Sequence, residues 1–445
     1  SKSTFMYGCQ CPKRLYLHKF KPELCNEEDE QQTAIFAAGT NAGVLARDLY
    51  KDGFDATPPN SYSYHIAVAQ TAEQIANGQT VIYEAAFQYD GVMCAVDILV
   101  KKEDGWHAFE VKSTNSLKAQ HQDDAALQHY VVSKSGLPLK EFSVVHFNRT
   151  YVRKGDIDVQ QLFVATSVKD YALSQENFIA STIDALKAIL ANKVEPMIEP
   201  GDFCFTPYEC NFTNNCWKGI TVEEKPEPYF DPYVDGQFLM QFTAQLAYPL
   251  FYMDFETVMY GVPEFDSSSP YQQIPFQFSG HIVRKMGKKP EHTAYLGDGS
   301  ADPRPEFIKA LIEAVPEYGS IIVYNVGFER SCIKKLAENF PEYAQALLAI
   351  SERMVDLMIP FRNKSICFHA FGGSYSLKKV LPTLVPSLKY SALEIQEGGT
   401  ASFVYSQLQY QDDETRALQR QQLLDYCHLD TLAMVEIMKW INKIT

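Results

Sequence analysis

The sequence contains no run of eighteen uncharged apolar residues, and no G-x-G-x-x-G fingerprint follows any strand-like segment. The first absence argues against a membrane-spanning helix, and the second argues against an oxidoreductase that binds a nucleotide cofactor. The opening residues, 1–17, also lack the apolar stretch of a secretory signal peptide. We therefore expect a cytoplasmic protein that does not contact a membrane.

Internal repeats and low-complexity tracts are also absent from the 445 residues, of which 46% are hydrophobic and 21% charged. This composition is typical of a globular protein with roughly two or three domains, each with its own core. A polar, proline-containing stretch at 222–237 separates two halves of similar size. We expect a first domain at 1–221, a linker at 222–245 and a second domain at 246–445.

Basic residues are scarce, because 40 Lys and Arg face 55 Asp and Glu, which leaves a net charge of -15. A protein that coats nucleic acid through a general positive field is therefore not expected. A nuclease is compatible with this charge, since catalytic carboxylates add negative charge and a basic groove can be local.

Apolar periodicity predicts an α/β protein. Strand-like runs at 81–89, 92–102 and 106–113 are joined by Asp-Gly pairs, which predicts an antiparallel meander. Further segments with a clear period are helices at 32–50, about 116–134, roughly 168–193, 327–340 and 415–444, and strands at 141–148, 248–261, 275–285 and 320–325.

Two carboxylates interrupt the apolar strand YPLFYMDFETVMYG in the second half, namely Asp254 and Glu256. Residues two apart on a strand share a face, so these side chains project together. Adjacent carboxylates repel each other unless a cation neutralises them, and Mg²⁺ or Mn²⁺ accepts such oxygen ligands. The alternative is a solvated strand face without a metal.

More chemistry-bearing residues follow in the second half. Asn325 and Glu329 lie where a strand ends and a helix begins. Tyr426 and Asp430 are four apart on the terminal helix and therefore share a face. His428 lies between them, and we interpret it as a residue of the helix surface or one that supports a metal ligand.

Together these motifs resemble the DnaQ-like, or DEDD, exonuclease superfamily. Asp254 and Glu256 match its D-x-E motif, Glu329 matches the second motif with Glu in place of Asp, and Tyr426 and Asp430 match Y-x-x-x-D. The resemblance implies a ribonuclease H-like fold and a two-metal mechanism with two Mg²⁺ or Mn²⁺ ions. In it Asp254 bridges the ions, the other acids complete their ligand sets, and Tyr426 orients the attacking water.

A second constellation lies in the first half, where Asp97 precedes Glu110 and Lys112. Glu110 and Lys112 share a strand face. A structural salt bridge with Asp97 is one interpretation. The other is metal-assisted phosphodiester hydrolysis, in which two acids hold one or two Mg²⁺ ions and the ammonium group stabilises charge.

The pattern D-(x)n-E-x-K resembles the PD-(D/E)XK nuclease signature, which implies a restriction-endonuclease-like core. RecB-like members place a Gln and a Tyr on the next helix, where this chain has Gln128 and Tyr130 at a narrower spacing. Glu84 on the preceding strand is an auxiliary acid in this interpretation.

Four cysteines extend the resemblance to the iron-sulfur RecB-like nucleases, namely AddB-type and CRISPR-associated RecB-like proteins. Cys204, Cys210 and Cys216 follow the nuclease core at even intervals, and Cys11 stands in the early segment CPKRLYL. The resemblance implies that a [4Fe-4S] cluster joins the two ends of the domain, while four thiolates also suit Zn²⁺. Cys9 is the alternative early ligand. The remaining cysteines are interpreted as small apolar fillers: Cys25, Cys94, Cys332, Cys367 and Cys427.

Both halves in this order resemble an uncharacterised bacterial family that joins a RecB-like module to a DnaQ-like one. The resulting prediction is a metal-dependent 3′-5′ exonuclease, acting on DNA more readily than on RNA, with an iron-sulfur RecB-like domain that cuts or grips DNA. The alternatives are a nucleic-acid-binding scaffold with inactive sites and an oxidoreductase that uses the cluster for electron transfer.

Overall fold

The structure is a computed structural model that describes residues 1–26, 39–60, 63–220 and 232–445. The chain forms two compact units: unit 1 with residues 1–221 and 261–271, and unit 2 with residues 222–260 and 272–445. The segment 261–271, which the sequence assigned to the second domain, thus groups with unit 1. There Tyr271 lies against Ser113, with 3.0 Å between the two hydroxyl oxygens, and Arg153 Nη1 donates to the carbonyl of Pro263 at 2.9 Å.

The strands of unit 1 are β1 (Phe54–Asp55), β2 (Val81–Tyr89), β3 (Val92–Lys102), β4 (Gly105–Lys112), β5 (Leu139–Phe147) and β6 (Phe163–Ser167). Its α-helices are α1 (Lys2–Gln10), α2 (Pro12–Phe20), α3 (39–46), α4 (Tyr64–Ala76), α5 (Ala119–Lys134), α6 (Val159–Leu162), α7 (Lys169–Ser174), α8 (Glu176–Asn192) and α9 (Thr213–Cys216). Short 3₁₀ helices cover Pro22–Leu24, Arg47–Leu49 and Asp202–Cys204.

The six strands of unit 1 form one sheet in chain order. Strands β2, β3 and β4 pair antiparallel, which confirms the meander. Asp90 and Gly91 both have positive φ, the conformation that a tight Asp-Gly hairpin turn requires. β5 then runs parallel to β4, so α5 forms the crossover between them, and its buried residues join the core beneath the sheet.

Two helices predicted for unit 1 differ from those in the structure, one because it is divided and the other because only part of it is described. The helix expected roughly over 168–193 is divided into α7 and α8. The division falls at Gln175, whose N–H donates to carbonyls of both Tyr171 and Ala172, in a turn tighter than an α-helix. Of the helix expected at 32–50, residues 39–46 are helical, and the part before residue 39 lies outside the described residues.

The strands of unit 2 are β7 (Tyr233–Val234), β8 (Leu250–Val258), β9 (Ile274–Val283), β10 (Glu291–Leu296), β11 (Ile321–Val323), β12 (Met354–Asp356) and β13 (Ile366–Cys367). Its α-helices are α10 (Gly236–Ala244), α11 (Arg304–Ala314), α12 (Val326–Asn339), α13 (Ala344–Glu352), α14 (Ile359–Arg362), α15 (Leu377–Leu384), α16 (Gly398–Gln407) and α17 (Asp413–Ile444). Short 3₁₀ helices cover Pro341–Tyr343, His369–Phe371, Tyr390–Ala392 and Leu408–Tyr410.

Five strands of unit 2 form a mixed sheet in the order β10-β9-β8-β11-β12. β9 runs antiparallel to both β8 and β10, whereas β11 runs parallel to β8 and β12. β8 is therefore the central strand. Its alternating residues Phe251, Met253 and Phe255 point into an apolar core with buried residues of α11, α12 and α13.

The opposite face of this sheet is polar, and α17 packs across it. Asp254 is paired directly with Ser279, and β9 continues with His281 on the same face. The prediction of one long terminal helix is confirmed, since α17 runs for 32 residues. Asp412 caps its first turn by accepting hydrogen bonds from the N–H groups of Glu414 and Thr415.

The expected linker contains regular structure. Residues 233–244 include β7 and α10, and α10 buries Leu239 and Phe242. Residues 222–231 of the expected linker lie outside the described residues. Among the described residues, the structure has no helix whose length and apolar character would let it cross a membrane.

Candidate functional site

The polar face of unit 2 brings together the acidic residues that the sequence singled out. Asp254 and Glu256 project from β8 toward α17, and one ligand atom of each lies within 4.8 Å of the other and of Cys427 Sγ. Glu329 enters from the first turn of α12, and Asp430 enters from α17. The charges of Glu256, Glu329 and Asp430 all act on Asp254, so three separate elements supply one acidic cluster.

Burial raises the pKa values of all four carboxyl groups. The charges of neighbouring acids of the cluster add to the shifts of Asp254 and Glu256, and the charge of Asp356 adds to that of Glu329. The pKa of Asp254 lies well above its ordinary range, and the pKa values of Glu256 and Glu329 rise to about 8. The pKa of Asp430 rises to about 6. The protein side chains alone therefore do not compensate the negative charge of this cluster.

Two tyrosines line the cluster. Tyr426, which the sequence identified, is buried, and burial beside Asp430 raises its pKa far above the ordinary value. Tyr390 was missed by the sequence, yet its hydroxyl donates a hydrogen bond to Asp430 Oδ1 at 2.5 Å. This hydrogen bond holds the pKa of Asp430 below the value that burial alone would give. Tyr390 lies 40 positions from Asp430, so no local spacing pointed to it.

Lys378 brings a positive charge close to the acidic cluster of unit 2. Its Nζ lies 5.7 Å from the ring centre of Tyr390 and 5.5 Å from that of Tyr426. Its charge lowers the pKa values of Glu256 and Asp430 in opposition to burial. The sequence interpretation gave its segment, 369–390, no catalytic role, and the structure places Lys378 of that segment beside the acidic cluster.

Asp356 is a buried acid near Glu329 that the sequence did not identify. Asp356 ends β12 and accepts hydrogen bonds from the N–H groups of Asn325 and Met358, at 3.0 and 2.9 Å. Asn325 has a φ of 77°, so Asp356 fixes a left-handed turn immediately before α12. The charge of Asp356 also contributes to the raised pKa of Glu329. The sequence signal that could have identified Asp356 is an Asp at the end of a short apolar strand.

Two residues of α17 have surroundings that differ from the sequence interpretation. Cys427 is not merely an apolar filler, because its Sγ lies 3.8 Å from both the carbonyl oxygen and Oδ2 of Asp254. Burial and the adjacent acids raise the pKa of its thiol well above the ordinary value. His428 is only half-buried and groups with two other histidines, His281 and His292.

Unit 1 brings Asp97, Glu110 and Lys112 together, but with different electrostatics. Asp97 Oδ2 accepts a hydrogen bond from the N–H of Val111 at 2.5 Å, which joins β3 to β4. Lys112 Nζ lies 2.8 Å from Glu110 Oε1 and also donates to Asp124. The sequence did not identify Asp124.

Lys2 is the other missed member of the unit 1 site. Its Nζ lies 2.8 Å from Glu110 Oε1 and 3.4 Å from Asp124 Oδ2, although 108 positions separate it from Glu110. Despite the burial of Glu110, its two lysine partners lower the pKa of its carboxyl group. Asp97 lacks such pairing, and burial together with the charge of Glu110 raises its pKa well above the ordinary value.

The other residues expected in the unit 1 site occupy three different environments. Gln128 is fully buried, and its amide oxygen and nitrogen have no hydrogen-bond partner among the described residues. Glu84 Oε1 lies 3.5 Å from Arg47, and burial raises the pKa of its carboxyl group. Tyr130 packs edge-on against Tyr89 in the core, with ring centres 5.9 Å apart.

The four cysteines predicted to bind a metal or cluster line one cavity in unit 1: Cys11, Cys204, Cys210 and Cys216. Cys9 does not line it and is exposed. Gln10 joins the two ends of the unit, because its side-chain amide donates to the carbonyls of Phe203 and Tyr208, both at 2.8 Å.

The spacing of these sulfur atoms can be compared with that of a tetrahedral zinc site. Tetrahedral zinc with Zn–S bonds near 2.3 Å holds its sulfurs about 3.8 Å apart. No three of the four cysteines belong to a group whose ligand atoms lie within 4.8 Å of one another in the described part of the chain. The sulfurs are therefore less closely grouped than those of a tetrahedral zinc site.

Comparison with known proteins gives two similarities. The model of a domain of unknown function (DUF2779) matches residues 251–376. This range includes Asp254, Glu256 and Glu329 but ends before α17 and Asp430. The chain is also similar to the uncharacterized protein UU173 of Ureaplasma parvum serovar 3, with 28% identity over 227 residues. That match covers 45% of this chain, and the chain spans about a third (32%) of the relative's length.

Proposed function

We propose that the protein is a metal-dependent nuclease and that unit 2 is a DnaQ-like 3′-5′ exonuclease acting on DNA. The observation that carries the proposal is the convergence of four buried carboxyl groups whose pKa values are all raised, by burial and, for Asp254 and Glu256, also by the other acids of the cluster. Such a cluster costs folding free energy unless cations neutralise it. Carboxyl groups with strongly raised pKa values are frequent at functional sites.

The topology of unit 2 supports the same proposal. Numbered in chain order from β8, its strands lie in the order 3-2-1-4-5, and only the second runs antiparallel to the first. This order agrees with the ribonuclease H-like fold that the DnaQ resemblance implies. The acids lie on its first strand and on two helices, as that resemblance also implies.

The donor set fits hard divalent cations. Carboxylate oxygens are the ligands preferred by Mg²⁺ and Mn²⁺, and Glu329 Oε2 is buried without a hydrogen-bond partner among the described residues. Asp254, Glu256, Glu329 and Asp430 would hold the ions. Bound ions would activate the attacking water and stabilise the leaving 3′ oxygen.

The neighbouring side chains would act on the substrate directly. The raised pKa of Tyr426 keeps its phenol protonated, so it can donate a hydrogen bond that orients water or a phosphate oxygen. Tyr390 holds the carboxylate of Asp430 in one orientation. Lys378 supplies a positive charge that a phosphate group would need on entering an otherwise acidic cluster.

For unit 1 we propose a RecB-like module that grips DNA. The β2-β3-β4 meander followed by a parallel β5 agrees with the restriction-endonuclease-like core that the PD-(D/E)XK resemblance implies. However, Lys2 and Lys112 already neutralise Glu110, which a catalytic metal would otherwise need as a ligand. This pairing favours binding over cleavage.

We further propose that Cys11, Cys204, Cys210 and Cys216 bind a [4Fe-4S] cluster in unit 1. Two observations support this proposal: all four cysteines line one cavity, and their sulfurs are less closely grouped than those of a tetrahedral zinc site. The test is anaerobic purification with iron, sulfide and zinc analysis. Cys11→Ser should lose the cluster, whereas its neighbour Cys9→Ser should keep it. Stoichiometric zinc without iron would contradict the proposal.

The nuclease proposal is tested with end-labelled single- and double-stranded DNA and RNA in Mg²⁺ or Mn²⁺. Asp254→Asn should abolish shortening from the 3′ end, and Asp97→Asn should leave it intact. Asp413→Asn is the matched control, since Asp413 is fully exposed on the same helix as Asp430. Binding without metal-dependent hydrolysis by the wild type would instead favour the scaffold, and loss of activity only in Asp97→Asn would move the active site to unit 1.

A further inference from the structure

Three histidines form a cluster on the polar face of unit 2, beside the acidic cluster. The two clusters share no residue. His281 comes from β9, His292 from β10 and His428 from α17. His281 and His292 are directly paired across the two antiparallel strands, so their side chains share a face. The helix α17 adds the third imidazole from above that face.

The three rings are arranged as metal ligands would be. One nitrogen from each ring lies within 4.8 Å of the others. Their ring centres are 4.7, 4.8 and 4.3 Å apart, and the rings are inclined at 41°, 65° and 75° rather than stacked in parallel. Bonds of 2.0–2.1 Å to a tetrahedral ion would separate the nitrogens by about 3.4 Å, a distance that small side-chain rotations reach.

Hydroxyl groups hold two of the rings from behind. His281 Nδ1 lies 2.9 Å from Thr431 Oγ1, and His292 Nε2 lies 3.0 Å from Ser279 Oγ. The two hydroxyl oxygens are themselves 2.8 Å apart. Histidines that bind metals usually have their second nitrogen held in this way, which fixes ring orientation and tautomer.

The hydrogen bonds indicate which nitrogen of His281 is available. Thr431 Oγ1 has other acceptors for its single proton: the carbonyl oxygens of His428 and Cys427, at 3.1 and 3.4 Å, and Ser279 Oγ at 2.8 Å. When Thr431 donates to one of these, His281 Nδ1–H is the donor to Thr431. In that tautomer Nε2 carries a lone pair, which is the form that binds a metal.

We infer that His281, His292 and His428 form a binding site for a zinc-class divalent ion that fastens α17 to β9 and β10. Three imidazoles without a carboxylate suit Zn²⁺, Co²⁺ or Ni²⁺ rather than Mg²⁺ or Mn²⁺. His292 is exposed and His428 half-buried, so a fourth position can be filled by water. The site is independent of the proposed nuclease activity, and unit 2 would then hold two kinds of ion.

The test uses the full chain, stripped with a chelator, equilibrated with excess Zn²⁺ and freed of unbound metal by gel filtration. His292→Ala and His428→Ala should each contain one equivalent of zinc per chain less than the wild type. His65→Ala, an exposed histidine of α4, is the matched control and should contain the wild-type amount. Comparing variants in this way removes any contribution from the cysteines, which all of them retain.

A second measurement guards against a variant that fails to fold. Zn²⁺ should raise the thermal unfolding temperature of the wild type and of His65→Ala by more than that of His292→Ala, whose circular dichroism spectrum should match the wild type. Co²⁺ bound at the site should give visible d-d bands without thiolate-to-cobalt charge transfer. Equal zinc content in His292→Ala and His65→Ala, or cobalt bound only through thiolates, would overturn the inference.

Discussion

The two acidic sites of this protein are buried to a similar degree but differ in what balances their charge. In unit 1, Glu110 is only 2% exposed and has two lysine partners at 2.8 Å. In unit 2, Glu256 is 7% exposed and faces further carboxylates. The pKa of Glu110 is accordingly lowered, whereas that of Glu256 rises to about 8.

This difference teaches that motif residues alone do not determine whether a site needs a metal. Both constellations include two acids on strands, Asp97 and Glu110 in unit 1 and Asp254 and Glu256 in unit 2. Where ammonium groups reach the acids, the result is an ion-pair network that stabilises the fold. Where they do not, the acids remain a cost to stability that divalent cations would remove.

The largest expected effect is that removing one carboxylate lowers the free energy of unfolding in unit 1 but raises it in unit 2. Glu110→Gln should lower the free energy of unfolding by about 1.5–3 kcal/mol, because Lys2 and Lys112 then keep only Asp124 as a carboxylate partner. Asp254→Asn should instead raise it in chelator, because the folded protein no longer has to bury or protonate this carboxyl group. Urea unfolding at neutral pH measures both.

Asp413→Asn serves as the control for this pair of variants, since its side chain is fully exposed on α17. It should change the free energy of unfolding little. If Asp254→Asn destabilised the chelated protein as much as Glu110→Gln does, the contrast between the two sites would be lost.

The next effect is the pH dependence of stability in chelator. Between the ordinary pKa of 4.5 and the folded value of about 8, Glu256 and Glu329 bind a proton when folded but not when unfolded. Stability should therefore fall as pH rises through this window, by about 1.4 kcal/mol per unit for each such group. Glu110 has a lowered pKa, so its contribution is lost only as pH falls below 4.5.

Urea unfolding from pH 5 to 8.5 measures this slope, and Glu256→Gln should reduce it. Saturating Mn²⁺ should flatten the slope of the wild type, because the cation replaces the protons. A stability that rises with pH in chelator would show that the acids of unit 2 are already compensated.

A smaller effect is expected from Tyr390→Phe, which removes the hydrogen bond to Asp430. A hydrogen bond to a charged group contributes about 1.5–3 kcal/mol, so Mn²⁺ should bind roughly tenfold or more weakly in this variant. Titration calorimetry measures the affinity. Tyr410→Phe, at an exposed tyrosine of the same unit, should leave it unchanged, and equal affinities in the two variants would dismiss Tyr390 as a positioning residue.

The smallest effect concerns Lys378→Gln. Loss of this charge should raise the KM for DNA by roughly two- to fivefold, a typical effect of one partly exposed charge, while Mn²⁺ binding becomes slightly tighter. The neighbouring exposed Lys379 provides the matched variant, Lys379→Gln, which should change neither quantity. Weaker Mn²⁺ binding in Lys378→Gln would mean that the lysine supports the fold and not the substrate.

The sequence by itself determined the features that depend on short-range geometry. Asp-Gly turns between apolar runs predicted the meander, the period of a strand placed Asp254 beside Glu256, and the period of a helix placed Tyr426 above Asp430. Each of these relations spans a few residues, so the local backbone period is enough to predict it.

Only the tertiary structure decided the partners of these groups. Lys2 reaches Glu110 across 108 positions and Tyr390 reaches Asp430 across 40, while His281 meets His292 through the register of two strands. No local period encodes such distances, because they arise when helices pack on sheets and strands choose their pairing. Packing therefore decided which charged groups surround the acids of each site, whereas the acids themselves were predicted from the sequence.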